Sequence, residues 1–153
     1  MTTPKFFIIA HNIRSLYNIG TIFRTADALG IDQLFLTGYS PQPPRKEISK
    51  VALGAEQTVA WSYYKNISPL IAKLKKEKVK IVALELDKRA ISYLDFKPQF
   101  PLALLVGNEV RGISKGLLGK SDKIIFLPMK GKKESLNVGV AMAVAGYQIA
   151  SKR

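Results

Sequence analysis

Short apolar runs recur along this chain, separated by stretches in which apolar positions return every three or four residues. The runs Lys5 to Ala10, Gln33 to Thr37, Lys80 to Glu85, Leu102 to Val106 and Lys123 to Leu127 read as strands, and Thr58 to Tyr64 reads as extended. Between them, Ile19, Ile22, Phe23, Ala26 and Leu29 repeat at helical spacing, and Gly30 supplies a stop. Ile67 to Glu77 forms an amphipathic helix, and Arg45 to Gly54 and Ser114 to Leu118 read as short helices. His11 to Asn18 and the proline-rich Gly38 to Pro44 read as loops. Strands that are apolar throughout, alternating with helices, predict an α/β fold: a parallel sheet with helices on both faces, in a single domain over 1–153.

The last helix, expected from Leu136 to Ala150, breaks the amphipathic pattern. Val138, Val140, Ala141, Met142, Ala143, Val144, Ala145 and Ile149 leave almost no polar face. A helix apolar nearly all round is buried on several sides. A terminal helix in 153 residues meets that demand most economically at a homodimer interface.

Composition narrows the classes. No apolar run approaches the ~20 residues that span a bilayer, so no membrane partner is expected. The run after Pro4 lacks the length and basic head of a signal peptide and reads as the first strand. The absence of cysteine excludes disulfides, cysteine-zinc sites and a thiol nucleophile, and fits a cytoplasmic location. With one histidine, His11, and no nucleophile elbow, neither a Ser-His-Asp hydrolase nor a metal site is expected. Lys plus Arg total 24 against 11 Asp plus Glu, a formal charge of +13. That excess favours a polyanionic partner, nucleic acid before membrane, through phosphate neutralisation and counterion release. The cluster Lys73, Lys75, Lys76, Lys78 and Lys80 also reads as a solvated helix end.

Three motifs carry candidate chemistry. In Asn18-Ile19-Gly20-Thr21-Ile22-Phe23-Arg24-Thr25-Ala26, Asn18 occupies an apparent N-cap position, Gly20 admits close approach of another chain or ligand, and Arg24 lies about one turn further on. Arg24 then either faces a phosphate or developing oxyanion, or is a surface arginine on a capped helix. In Val106-Gly107-Asn108-Glu109-Val110-Arg111-Gly112, directly after a strand, Glu109 either accepts from a ligand, holds Arg24, or caps a tight turn. This is not GxGxxG, so a dinucleotide site is not supported. The third motif, Pro128-Met129-Lys130-Gly131-Lys132-Lys133-Glu134-Ser135-Leu136-Asn137-Val138, places polar groups at a strand's carboxyl end, where ligands bind in open α/β sheets. Ser135 and Asn137 either bind substrate or cap the final helix.

The order N-x-G-x-x-x-R-x-A, G-N-E-x-x-G, then P-M-x-G-x-x-x-S-L-N-V resembles the SpoU family of RNA ribose 2′-O-methyltransferases, in the SPOUT (α/β-knot) superfamily. The resemblance runs from Lys5 to about Ala150. It implies a C-terminal deep trefoil knot, a rare exception to unknotted chains, holding S-adenosylmethionine in a bent form. It implies a cofactor pocket of Leu84, Glu85, Gly107, Asn108, Leu127, Met129, Ser135 and Leu136. It also implies a homodimer and attack of an RNA ribose 2′-hydroxyl on the sulfonium methyl, with tRNA or rRNA as substrate.

By the same resemblance, Arg24 matches the family's catalytic arginine, and Asn18, Glu109, Ser135 and Asn137 match its other active-site positions. A guanidinium is a poor base, so Arg24 is expected to stabilise 2′-oxyanion character, positioned by Asn18 and Glu109, in its own chain or across the dimer. With no separate N-terminal RNA-binding domain or long extension expected, RNA contacts fall to basic residues near the site: Arg14, Arg45, Lys46, Arg111, Lys130, Lys132 and Lys133. The rival expectations are a knotted RNA-binding module without catalysis, a base-methylating SPOUT enzyme, and a nucleotide-using oxidoreductase.

Overall fold

The computed structural model describes residues 2–153. Its elements run β1 (Phe6–His11), α1 (Leu16–Leu29), β2 (Gln33–Thr37), α2 (Lys46–Ala52), α3 (Ala55–Thr58), β3 (Trp61–Tyr64), α4 (Ile67–Lys76), β4 (Lys80–Leu84), β5 (Ile91–Ser92), β6 (Leu102–Val106), α5 (Lys115–Lys120), β7 (Lys123–Phe126) and α6 (Val138–Ala150). The seven strands form one sheet in the order β3-β2-β1-β6-β4-β7-β5, and every pairing is parallel.

The apolar runs are strands buried on both faces. Phe6, Ile8 and Ala10 of β1 point into a core with Leu34, Leu36, Leu102, Leu104 and Val106, covered by α1, α2, α3 and α6. The intervening Ile9 joins Phe35, Ile81, Ala83, Ala103 and Leu105 in a second core beneath α4 and α5. Side chains alternate between faces along a strand, so two apolar faces remove the polar half of the pattern.

Helix α1 is locked at both ends. Ser15 is its N-cap, its hydroxyl accepting from the Asn18 N–H at 3.1 Å. The expected cap at Asn18 is therefore corrected: Asn18 lies in the first turn and is 4% exposed. Gly30, at φ 63°, closes the other end as expected. Gly20 does admit a close approach, but of α2: a Cβ there would lie 2.7 Å from Val51 Cβ and 2.9 Å from Ile48 O.

Other expectations shift. The short helix expected over Arg45 to Gly54 is α2, closed at Leu53 and Gly54, which both take positive φ; the one-turn helix α3 that follows was not expected. The extended segment expected from Thr58 begins only at Trp61. Strand β5 is too short for a periodic signal. Helix α6 begins at Val138 rather than Leu136, because Asn137 caps it through bonds from the Gly139 and Val140 N–H groups. Nor is α6 buried on several sides within the chain: Gly139, Met142, Ala145, Gly146 and Ile149 are buried, while Val140, Val144 and Tyr147 form an exposed stripe.

Candidate active site

Parallel strands bring all their carboxyl ends to one edge. The chain leaves β1 in one direction, toward β2, while β6 and β4 lie on β1's other side. Such a reversal leaves a crevice between the diverging loops. The loops after β1, β4, β6 and β7 meet there around a cavity of about 1100 Å³.

Glu109, in the loop after β6, accepts from the backbone N–H groups of Arg14 and Ser15, each at 2.8 Å, and from Asn18 Nδ2 at 2.9 Å. Burial of this carboxyl raises its pKa, but those three donors outweigh the burial and hold it below the ordinary glutamate value. The anion also lies at the start of α1, where the helix dipole favours it.

A carboxylate only accepts, so Asn18 turns its amide NH₂ toward Glu109 and its oxygen the other way. Asn18 Oδ1 accepts from Asn137 Nδ2 at 3.0 Å. The Asn137 oxygen is left to face the start of α6, where it accepts from Gly139 and Val140 at 2.9 and 3.2 Å. One chain of hydrogen bonds thus joins all three sequence motifs and fixes the amino ends of α1 and α6 relative to each other.

Two further polar residues build the wall. Glu85 accepts from the Leu86 and Ile113 N–H groups at 3.0 and 2.7 Å. A Cβ on Gly112, whose φ is 66°, would lie 2.1 Å from Glu85 Oε2, so this turn closes only over glycine. Asn108 is fully engaged. Its oxygen accepts from the Val110 and Arg111 N–H groups at 2.9 and 2.8 Å, and its nitrogen donates to Asn12 O at 3.0 Å and Tyr39 Oη at 2.8 Å.

The positions expected to bind a cofactor, Leu84, Glu85, Gly107, Asn108, Leu127, Met129, Ser135 and Leu136, all line the cavity. Asn18, Glu109 and Asn137 join them, as do Arg14 and Arg111. Ser135 is exposed there and caps nothing, since Asn137 holds that role.

Arg24 departs from the group. It is exposed on α1 and lines a separate cavity of about 350 Å³ with Asp27, Ala52, Leu53, Gly54, Ala55 and Thr58. The expectation that Glu109 and Asn18 position Arg24 is corrected within one chain, because Glu109 is occupied by Arg14, Ser15 and Asn18, and Asn18 by Glu109 and Asn137. Arg45 and Lys46 lie at the start of α2, outside the large cavity, with Arg45 paired to Glu47 at 3.5 Å. Lys130, Lys132 and Lys133 are exposed in the loop after β7 and do not line the cavity. His11 stands apart from both cavities, bonded through Nδ1 to Thr37 Oγ1 at 2.8 Å, its pKa lowered by burial. Among the described residues no cluster of metal-ligating side chains exists.

Sequence reasoning missed Ser15, Asn12 and Tyr39. The Ser15-x-x-Asn18 spacing ahead of an apolar run is the signal for the first. Asn12 and Tyr39 act through contacts between loops and left no local mark.

A family model described as the SpoU rRNA Methylase family matches residues 5–147. The chain belongs to this family. Among its relatives, a tRNA (guanosine(18)-2′-O)-methyltransferase of Escherichia coli strain K12 is 28% identical, over 98% of this chain and 65% of that protein. One of the same name from Aquifex aeolicus strain VF5 is 30% identical, over 95% and 69%. The crystal structure of the A. aeolicus TrmH/SpoU tRNA modifying enzyme superposes with a TM-score of 0.88 at 27% identity, covering 99% of this chain and 76% of that one. The chain spans 58% to 69% of the length of the curated relatives it matches.

Proposed function

We propose that this chain is an S-adenosylmethionine-dependent methyltransferase acting on a ribose 2′-hydroxyl of tRNA or rRNA. The observation that carries the reading is the bonded chain Glu109, Asn18, Asn137 at the mouth of the large cavity, in a member of a family with relatives named for this reaction.

The residues present fit the cofactor. A cavity of about 1100 Å³ exceeds the usual size for one small ligand, leaving space for a cofactor and an incoming ribose. Leu84, Leu86, Leu127 and Leu136 supply apolar wall for a purine, and the loop backbone after β4, β6 and β7 supplies polar groups. Glu85 and Asn108 spend their side chains on shaping those loops, so their part in binding is through main chain and shape.

When bound, S-adenosylmethionine supplies a methyl group already activated on sulfur. The chain aligns the ribose oxygen with it and excludes water. The cofactor would supply the methyl group for transfer to the 2′-oxygen and would keep the sulfur as the neutral leaving group, with the hydroxyl proton passing to an acceptor at the cavity wall. Arg24 stabilises the developing 2′-oxyanion. Arg24 does not line the large cavity of its own chain, which supports its delivery by a second copy. The exposed stripe Val140, Val144 and Tyr147 on α6 supports a homodimer through that helix.

The knot belongs to the same reading. Strand β7 lies between β4 and β5, and residues 85–90 join those two strands across its carboxyl end. After β7 the chain returns to α6, which packs with α1 against the first core, an arrangement that supports a threaded C-terminus. The described chain then acts as one catalytic domain in the cytoplasm. Arg14 and Arg111 at the cavity, and Arg45, Lys46, Lys130, Lys132 and Lys133 further out, contact RNA phosphates.

The test is transfer of tritiated methyl from S-adenosylmethionine to tRNA and rRNA lacking the modification, followed by nucleoside analysis. A 2′-O-methylated nucleoside is expected. Label on a base overturns the ribose assignment. Cofactor and RNA binding with no transfer to any RNA favours a binding module.

A further inference from the structure

Tyr39, in the loop after β2, is 59% exposed, and single exposed aromatics are ordinary on protein surfaces. This one is held at both ends. Its backbone N–H donates to Asn12 Oδ1 at 3.1 Å, and its hydroxyl accepts from Asn108 Nδ2 at 2.8 Å. Asn12 is fixed in turn, its N–H donating to Thr37 O at 3.1 Å and its carbonyl accepting from Asn108 at 3.0 Å.

The neighbours of Tyr39 are equally constrained. Ser40 is 3% exposed, its hydroxyl donating to Ala10 O at 3.0 Å and accepting from the Ile13 N–H at 2.9 Å. Gly38 donates to Tyr64 O at 3.1 Å and accepts from the Tyr63 hydroxyl. The phenol ring is therefore a fixed plate with an open face, and little conformational freedom remains to be lost when something stacks on it.

The plate stands beside the large cavity, since Asn108 both holds its hydroxyl and lines that cavity. Arg14 and Arg111 line the same cavity and form no ion pair among the described residues. The segment from Gly38 to Arg45 contains no acidic residue. A preorganised ring next to a cavity whose wall carries two guanidinium groups outside any ion pair is the chemistry that binds single-stranded nucleic acid, bases on the aromatic face and phosphates on the cations.

We propose that Tyr39 is the stacking platform for an unpaired RNA base next to the nucleotide whose ribose enters the cavity. This rests on the methyltransferase reading above and extends it to the substrate class. A base inside a duplex already has both faces covered, so the acceptor site lies in a loop or other single-stranded segment.

The test uses RNA hairpins carrying 2-aminopurine in the loop, with fluorescence quenching and affinity read for the wild-type protein, Tyr39→Ala, Tyr39→Phe and Tyr39→Trp. Wild type is expected to quench the probe. Y39F and Y39W, which keep a ring, retain quenching. Y39A loses it and binds the loop about 5- to 150-fold more weakly. Fully paired RNA of the same sequence shows no difference between wild type and Y39A.

Equal quenching and affinity in wild type and Y39A overturn the proposal, as does a change confined to the monomer–dimer equilibrium. The two readings fail separately. Methyl transfer by Y39A with wild-type KM for RNA removes the platform and leaves the enzyme. Tyr39-dependent quenching without methyl transfer to any RNA removes the enzyme and leaves the platform. A wild-type protein that binds no RNA overturns both.

Discussion

The amide of Asn137 donates to Asn18 Oδ1 at 3.0 Å across 119 residues of chain, and Asn18 in turn donates to Glu109 at 2.9 Å. Asn18 is the middle of this chain, nearly buried, and both of its side-chain atoms are committed. Asn18→Ala removes the bridge and is expected to cost about 1–3 kcal/mol in urea unfolding. Asn18→Asp places a second carboxylate against Glu109 and is expected to cost more than alanine at pH 7. Its deficit shrinks as the pH falls below about 5 and one carboxyl takes a proton. An aspartate variant as stable as wild type at pH 7 would contradict the bonded arrangement.

Glu109 makes a pH-dependent contribution whose sign follows from its lowered pKa. A group ionised more readily folded than unfolded adds stability that is complete above its unfolded value, near pH 4.3 for a glutamate, and is lost as the pH falls through the folded value. Glu109→Gln retains one accepting oxygen but turns an NH₂ toward existing donors. We expect it to lose about 1 kcal/mol at neutral pH, the low end because the site is half-exposed. Thermal melts of both proteins should converge as the pH falls below about 4. A gap independent of pH would remove the charge from the explanation.

Arg24 tests the two-copy site. Arg24→Ala should keep S-adenosylmethionine binding and lose methyl transfer by about 100-fold or more. Leu136→Arg, which puts a cation at the cavity mouth, should block binding on its own. Mixed dimers of the two variants should recover activity, because the L136R chain still offers Arg24 to the open cavity of its partner. No recovery in mixed dimers would confine Arg24 to its own chain.

The α6 stripe makes a prediction about assembly. Val144 sits between Val140 and Tyr147 on the exposed face, opposite the buried Met142 and Ala145. Val144→Glu should give a monomer by light scattering, with far-UV circular dichroism unchanged. A dimer that survives the charge would place the interface elsewhere.

By itself the sequence determined what depends on neighbours along the chain. Apolar runs such as Leu102 to Val106 marked five of the seven strands almost to the residue, because burial on both sheet faces leaves no polar position within them. Gly30 ended α1, since only a residue at ease with positive φ closes a helix that way. The eight positions that the family resemblance implied for a cofactor also line one cavity, because in a parallel sheet whatever follows a strand arrives at the same edge. The tertiary structure decided what depends on distant partners. It inserted β6 between β1 and β4, bringing Glu109 to the start of α1. It committed Glu109 to Arg14, Ser15 and Asn18, leaving Arg24 beside a separate cavity. No local pattern encodes those pairings, since each is fixed only when strands far apart in sequence take their places in the sheet.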